Sequence, residues 1–255
     1  MSRILGIVSG KGGVGKTIVT SNLACALTEL GQDVIILDTN LTTPHLGLHL
    51  GLHLAPKTLH HVLRGEEKIE NSMYYHPFGF RVIPASMNVN DLIDVDPDKL
   101  SETIRRLNGK SDFVLMDCAP GLGKEAVSSI NAADEILLVA NSDIPSIADS
   151  LKTLKVAQHL NKNVLGVVVN RVKDKKHELD RDTIENMLGV PVLVEIPEDE
   201  KIPESIAAKL PVIDYNPYSP SALKIRKLAR ILTGTEYEEL RKVGFFGKLA
   251  KFFFG

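Results

Sequence analysis

The run from Ser9 to Thr17 contains the residue types that bind phosphate groups. It reads Ser-Gly-Lys-Gly-Gly-Val-Gly-Lys-Thr and fits the pattern G-x-x-x-x-G-K-[ST], in which small residues let successive backbone N–H groups converge on phosphate oxygens. In this pattern Lys16 pairs with the β- and γ-phosphate oxygens, and Thr17 ligates Mg²⁺. Lys11 is a second lysine that such binding does not require. A glycine-rich turn without a ligand is disfavoured, because the run lies between a strand-like and a helix-like segment.

Two aspartates complete the candidate phosphate site. Asp38 and Asp117 each end an apolar strand-like run. A Mg²⁺-associated carboxylate must lie at such a position to face phosphates held by a loop on a neighbouring strand. A strand-end aspartate also forms turns, so each residue alone is ambiguous. Together with the loop they favour a metal site, in which both carboxylates act through water.

The elements that must position these residues follow from the apolar pattern. Short runs of continuous apolar residues, typical of strands buried on both faces of a parallel sheet, occur at Ile4–Val8, Val34–Leu37, Phe80–Ile83, Phe113–Met116, Glu135–Ala140, Val164–Val169 and Pro191–Ile196. Helical patterns occur at Lys16–Leu30, Pro97–Leu107, Gly123–Asn131, Pro145–Leu160 and Ser219–Leu232. The alternation predicts a doubly wound α/β domain with a mainly parallel sheet. Its ligands should bind at the carboxyl ends of the strands.

Length and composition restrict the function classes. The chain has 255 residues, 44% of them hydrophobic and 24% charged, with a formal net charge of −2. One sizeable core is expected, and nucleic acid is not an expected partner. Cys25 and Cys118 are too few for a disulfide framework and lack the spacing of a metal cluster. Without a leader or a membrane-spanning run, we expect a cytoplasmic protein.

At this point the sequence resembles the deviant phosphate-loop ATPases of the MinD/ParA family, and within that family the archaeal MinD proteins. The resemblance rests on the loop and on the segments Ile35–Asp38, Asp117–Leu122, Val167–Arg171 and Ile196–Asp199. It implies ATP and Mg²⁺ as cofactors and a homodimer in the ATP-bound form. It implies catalytic roles for Lys11, Lys16, Asp38, Asp117 and the residue at position 40. In particular, Lys11 is expected to contact the nucleotide of the partner subunit, and Asp117 to open a switch that senses the γ-phosphate.

The resemblance also implies a nucleotide contact set, which comprises Gly10, Lys11, Gly12, Gly13, Val14, Gly15, Lys16, Thr17, Ile18, Asn170, Arg171, Pro197, Glu198 and Asp199. Asn170 is expected at the adenine edge, since an amide offers both a donor and an acceptor. Arg171 and the turn Pro197–Asp199 are expected to close the base pocket. A guanine site would require N-K-x-D, which the residues after Asn170 do not match. ATP is therefore favoured over GTP.

Two residues depart from the family pattern. Most members have Asp-x-Asp where this chain has Asp38-Thr39-Asn40, and the second carboxylate is held to position or activate the attacking water. An amide cannot accept a proton at neutral pH, but its carbonyl oxygen can orient water. Slow hydrolysis and a long-lived ATP state are expected. The family's usual asparagine before leucine is His45 here.

Histidines are concentrated in the same region. Five of the eight, namely His45, His49, His53, His60 and His61, fall within seventeen residues, and the first three have helical spacing. That spacing favours neighbouring imidazoles, which can bind a metal. Gly47 and Gly51 weaken a helix there, and no Cys, Asp or Glu lies within the cluster. A solvated or dimer-facing surface is therefore favoured over a metal site.

The C-terminus differs from the preceding domain. We assign residues 1–234 to the ATPase domain and 235–255 to a linker and an amphipathic helix. Five of the eight phenylalanines lie in the last eleven residues. On a helical wheel one arc is apolar and another carries lysines. The apolar arc contains Phe245, Phe246, Leu249, Phe252 and Phe253, and the other arc contains Lys248 and Lys251. This predicts a helix at the membrane interface, and the alternative is a tail that folds back on the domain.

Together these features predict an ATP-dependent, membrane-associating dimeric ATPase on the inner face of the membrane. It would position cell-division or other cell-surface machinery with an unidentified activating or cargo protein. Two alternatives remain: a non-hydrolysing ATP-binding membrane scaffold, which Asn40 favours, and a ParA-like partitioning ATPase on DNA. The aromatic tail and the lack of net positive charge disfavour the second.

Overall fold

The computed structural model describes residues 1–173 and 175–235. Within them eight strands form one sheet in the order β3-β4-β2-β5-β1-β6-β7-β8. All neighbouring strands are parallel except β3 and β4. The strands are β1 (Arg3–Val8), β2 (Val34–Thr39), β3 (Tyr74–Tyr75), β4 (Arg81–Ile83), β5 (Phe113–Cys118), β6 (Glu135–Asn141), β7 (Asn163–Val172) and β8 (Val192–Pro197).

Helices cover both faces of this sheet. The described residues form α1 (Lys16–Glu29), α2 (Leu46–His49), α3 (Leu59–Leu63), α4 (Leu100–Arg105), α5 (Lys124–Ala132), α6 (Ile144–His159), α7 (Arg181–Leu188), α8 (Lys201–Ala207), α9 (Val212–Tyr215) and α10 (Pro220–Thr233). Helices α1 and α10 pack on one face, and α4 to α7 pack on the other. Alternate residues of the central strands supply each core: Val114 and Met116 of β5 face one, and Phe113 and Leu115 the other.

The predicted doubly wound α/β fold is confirmed, and each of the seven apolar runs overlaps a strand. The structure adds the short antiparallel strand β3 at one edge of the sheet. The sequence also predicts one helix over Pro97–Leu107, which is only partly correct. The structure has a 3₁₀ turn at Pro97–Lys99, where Asp96 caps Asp98 N–H, and only then begins α4.

The strand order determines where a ligand can bind. Strand β1 lies between β5 and β6, so successive connections leave it toward opposite edges of the sheet. A crevice forms at the carboxyl end of such a switch point. The Ser9–Thr17 run follows β1 directly, at this crevice.

The tail remains outside this description. The predicted membrane-contacting residues Phe245, Phe246, Lys248, Leu249, Lys251, Phe252 and Phe253 lie outside the described residues. Among the helices of the described residues, none combines the length and the apolar character needed to cross a membrane.

Candidate functional site

The phosphate-binding loop, residues 9–17, connects β1 to the first turn of α1. Gly15 precedes α1 in the left-handed region, at φ 99°, and within the described residues no side chain caps this helix. The first-turn N–H groups are therefore free to face an anion. Two glycines are also required by close packing. A Cβ on Gly10 would lie 2.2 Å from the carbonyl carbon of Asp149, and a Cβ on Gly15 would lie 2.2 Å from Asn170 Nδ2.

Lys16 is held at the base of this loop. Its side chain is buried, and Nζ donates to Ser9 Oγ over 2.9 Å. Burial lowers the pKa of Lys16, and the nearby Asp117, Cys118 and Asp38 counteract this shift. The arrangement keeps a cationic group in a desolvated position, where its interaction with phosphate is stronger than in water.

Thr17 and Asp117 meet across the sheet edge. The Thr17 hydroxyl donates to Asp117 Oδ2 over 2.6 Å, whereas Asp117 Oδ1 is buried and has no hydrogen-bond partner within the described residues. Burial raises the pKa of Asp117, while Lys16, the Thr17 hydrogen bond and His45 lower it. A hydroxyl beside an unpartnered carboxylate oxygen is an oxygen ligand set of the kind that Mg²⁺ takes. The residues present fit a magnesium ion.

Asp38 is the register partner of Asp117 on the neighbouring strand and is fully buried. Its Oδ2 accepts the N–H groups of His45 and Leu46 over 3.0 and 2.9 Å, and its Oδ1 accepts the Asn40 N–H over 3.2 Å. Burial and repulsion from Asp117 raise the pKa of Asp38, and these three N–H groups oppose the rise. Asp38 therefore holds the backbone of residues 38–46, which we call the 38–46 loop.

Asn40 lies in this loop and lines the same cavity as the phosphate-binding loop. Its Nδ2 donates to the Thr43 carbonyl, and its Oδ1 accepts the Thr43 hydroxyl over 3.2 Å. Both ends of the amide are thus engaged within the loop. Thr42 is bonded in turn to Glu125 of α5, through N–H over 2.9 Å and through its hydroxyl over 3.0 Å.

Lys11 is not among the residues that line the cavity. Its Nζ lies 3.0 Å from Asp143 Oδ1 and 3.3 Å from Oδ2, at the surface, where both side chains are more than a third exposed. The same Asp143 Oδ1 caps α6 by accepting the Ser146 N–H over 2.8 Å. Lys11 is therefore paired within its own chain in a position that solvent or another molecule can reach.

The cavity has a volume of about 320 Å³ and is lined by Gly12, Gly13, Gly15, Lys16, Thr17, Ile18, Asn40, Thr43, His45, His49, Asp117, Cys118, Pro120, Arg171 and Ile206. Ile206 belongs to α8, which the sequence analysis does not predict. The contact of Lys11 with Asp143 is not predicted from the sequence either. Ser9 belongs to the predicted phosphate-binding run, but its contact with Lys16 is not predicted.

Of the residues predicted to form the base pocket, only some line this cavity. Arg171 borders the cavity with a left-handed φ of 59°. Asn170 is buried, and its Nδ2 donates to the Val14 carbonyl over 2.7 Å, so that it supports the phosphate-binding loop. Asp199 accepts the Ser221 hydroxyl over 2.6 Å and the Ser221 N–H over 3.1 Å. Pro197, Glu198 and Asp199 are not among the residues that line the cavity.

The histidine cluster is not one surface. Helix α2 ends at His49, so the helical spacing does not extend to His53. His60 is fully buried, which contradicts a solvated surface: its Nδ1 accepts the Ser86 N–H over 3.0 Å, and its Nε2 donates to the Leu41 carbonyl over 3.1 Å. The described residues contain no group of three or more His, Cys, Asp or Glu that could hold a metal.

Comparisons with known proteins identify the family of this chain. A family model described as the CobQ/CobB/MinD/ParA nucleotide binding domain matches residues 5–212. An uncharacterized ATP-binding protein of Methanocaldococcus jannaschii is 36% identical, with 100% of this chain and 98% of that protein covered. The septum site-determining protein MinD of Pyrococcus horikoshii, complexed with Mg-ADP, has 38% identity and a TM-score of 0.88, with 91% of this chain and 96% of that chain covered. For the cell division ATPase MinD of Pyrococcus furiosus the values are 38%, 0.89, 92% and 99%. The family resemblance seen in the sequence is confirmed.

His60 connects the 38–46 loop to the loop after β4, and this generates a stability prediction. Burial lowers the pKa of His60 below its ordinary 6.5, because the folded site accommodates only the neutral ring. Below pH 6.5 the unfolded chain binds a proton that the folded chain does not, so acid destabilises the wild type. Gln supplies one donor and one acceptor without a titrating proton. The difference in free energy of unfolding between wild type and His60→Gln should shrink as pH falls below 6.5 in urea titrations. A pH-independent difference would contradict this prediction.

Proposed function

The chain belongs to the CobQ/CobB/MinD/ParA nucleotide-binding family, and from that premise we propose that it is an ATP-dependent, dimerising ATPase switch of the MinD type. It associates with the inner face of the membrane and positions cell-division or other cell-surface machinery with an unidentified partner protein. The observation that carries the proposal is that the two lysines of the phosphate-binding loop have different environments. Lys16 is buried at the base of the phosphate-binding loop, whereas Lys11 lies at the surface.

In this proposal the loop amides and Lys16 hold the ATP phosphates. Thr17 and the unpartnered Oδ1 of Asp117 hold Mg²⁺, which would neutralise phosphate charge during hydrolysis. Asp38 keeps the 38–46 loop in place and associates with the metal through water. The side chains at this edge thus bind, orient and compensate charge, which is most of what phosphoryl transfer requires of a protein.

The adenine side is assigned to residues around Arg171. This side chain borders the cavity together with Ile18 and Ile206, which offer apolar surface for a base. Asn170 is proposed for the adenine edge through its amide, although its Nδ2 also supports Val14. The turn Pro197–Asp199 is proposed as the outer boundary of the base pocket. Here Glu198 N–H is fixed on the Val172 carbonyl over 2.9 Å.

Dimerisation requires Lys11 to leave Asp143 and contact the nucleotide of the second subunit. A surface ion pair contributes only about 0–1 kcal/mol, so its loss is a small cost. A hydrogen bond from the same ammonium to phosphate is charge-assisted at both ends and stronger. Two C-terminal helices in one dimer then bind a membrane more tightly than one, because the second contact is intramolecular.

Hydrolysis is expected to be slow. Asn40 supplies no carboxylate, and both ends of its amide are engaged by Thr43. The same observation favours a second candidate function, an ATP-binding membrane scaffold that does not hydrolyse. Steady-state phosphate release measured in the presence of lipid separates the two.

The first prediction of this proposal concerns the lysines. Lys16→Ala should abolish ATP binding, since the charge on the β/γ oxygens is lost, whereas Lys11→Ala should retain ATP binding and lose ATP-dependent dimers. Calorimetry and light scattering with a non-hydrolysable analogue measure the two effects. The matched control is Lys152→Ala, which removes an exposed lysine from α6. A Lys11→Ala protein that dimerises like the control would show that Lys11 does not act across an interface.

The second prediction concerns Asn40. Asn40→Asp should raise the hydrolysis rate by about tenfold to a few hundredfold, the range of a well-placed general base or water-positioning group. The carboxylate also cannot donate to the Thr43 carbonyl, so the variant loosens the loop. Asn40→Ala is therefore the control, because it loses the same bond without gaining a carboxylate. Equal rates for the two variants would mean that the carboxylate is not near the attacking water.

The third prediction concerns the tail. Deletion of residues 244–255 should abolish co-sedimentation with liposomes and leave ATP binding unchanged. Replacement of Lys248 and Lys251 by Gln should weaken binding to anionic vesicles by roughly 1 kcal/mol per charge, whereas Phe252→Glu should weaken it on every lipid. If the truncated chain sediments like the full chain, or loses its thermal stability, the tail belongs to the core and the membrane proposal fails.

A further inference from the structure

His45 has an unusual position at the cavity. It lines the cavity together with Thr17 and Asp117, and its charge affects the pKa of Asp117. Its side chain is exposed, and within residues 1–173 and 175–235 neither of its ring nitrogens takes part in a hydrogen bond. An imidazole has a donor and an acceptor to offer, and here no other described residue takes up either of them.

The backbone that carries this ring is fixed. The N–H groups of His45 and of Leu46 both donate to the buried Asp38 Oδ2. The Leu46 side chain is itself completely buried, so the start of α2 is anchored on both its polar and its apolar side. A ligand that contacts this ring therefore has to order only the side chain of His45 and not the backbone that carries it.

The other side-chain polar groups of the 38–46 loop already have partners. Asn40 is bonded to Thr43 through both ends of its amide. Both oxygens of Asp38 accept backbone N–H groups. On the 38–46 loop, the ring of His45 is therefore the polar group that lines the cavity and is available to a ligand as the loop stands.

The topology indicates which part of a nucleotide this ring meets. The loop after β2 carries His45, and β7 carries Arg171; in the sheet these strands lie on opposite sides of β1. With the phosphates on the loop after β1 and the base beside Arg171, the loop after β2 lies at the far end, beside the metal ligands. That end is where the terminal phosphate of a triphosphate would lie and where a diphosphate has no atoms.

We propose that His45 donates a hydrogen bond to the terminal phosphate of a bound nucleoside triphosphate and thereby favours triphosphate over diphosphate. This inference rests on the proposed ATP-binding function. The neutral ring suffices, because one ring nitrogen carries a hydrogen in either tautomer. The contact would connect the terminal phosphate to the loop that Asp38 anchors and that Thr42 ties to Glu125.

The test is the ratio of two affinities, measured by calorimetry with Mg²⁺ and either ADP or a non-hydrolysable ATP analogue. His45→Ala should weaken binding of the analogue about tenfold and leave ADP binding within about twofold, as expected for loss of one charge-assisted hydrogen bond. His45→Gln keeps a donor and should recover part of the preference. His159→Ala, an exposed histidine at the end of α6, is the matched control.

The outcomes separate the inference from the function on which it rests. A wild-type protein that binds neither nucleotide refutes the proposed ATP-binding function. A wild type that prefers the analogue, with an unchanged ratio in His45→Ala, overturns the His45 contact alone. Equal weakening of both ligands also overturns it, because it would mean a general effect on the loop. If the Ala variant does not fold, His45→Phe decides, because it keeps an aromatic ring without a donor: a ratio reduced from wild type supports the contact, and an unchanged ratio overturns it.

Discussion

Asp38 and Asp117 are register partners at the ends of adjacent parallel strands, and both carboxyl groups are buried. Burial disfavours the charged forms and raises the pKa of each, and repulsion from Asp117 raises the pKa of Asp38 further. The structure compensates the two charges with different groups. Lys16 and Thr17 stabilise the charged form of Asp117, and three backbone N–H groups stabilise that of Asp38. Asp117 therefore contacts the phosphate-binding loop, and Asp38 contacts the 38–46 loop.

Asp38 and Asp117 therefore differ in their ability to bind a cation. Both oxygens of Asp38 accept backbone N–H groups, so its ability to bind a further cation directly is limited. Asp117 retains a buried oxygen that no described residue satisfies, which is costly unless a cation or water is bound there. A bound Mg²⁺ would satisfy this oxygen and reduce the repulsion between the two carboxylates. Under the proposed function, metal and nucleotide binding therefore stabilise the two buried carboxylates at this edge of the sheet.

The sequence predicts the fold well because the central strands are buried on both faces and must be continuously apolar. It also predicts that Thr17 and Asp117 serve one magnesium site, and in the structure the two side chains are hydrogen-bonded. The contacts it misses join distant segments: Lys11 and Asp143 are 132 positions apart, and Asn170 and Val14 are 156 apart. Local pattern has no information on such pairs. Ile206 is missed for a related reason, because α8 has seven residues, too few for a clear helical period.

The contacts around the cavity fall into two energetic groups, and this determines which of them can change when a nucleotide binds. The Lys11–Asp143 and Thr42–Glu125 contacts are at the surface, where water replaces a lost partner at little cost. The bonds from Asp38 to the backbone of the 38–46 loop are buried, and breaking them would leave polar groups unsatisfied. A change in the proposed switch should therefore move the exposed ends, Lys11 and the Asn40–Thr43 turn, while the start of α2 stays in place. Because α2 stays fixed while the exposed residues beside it move, the presence or absence of a terminal phosphate can change the surface that contacts a second subunit.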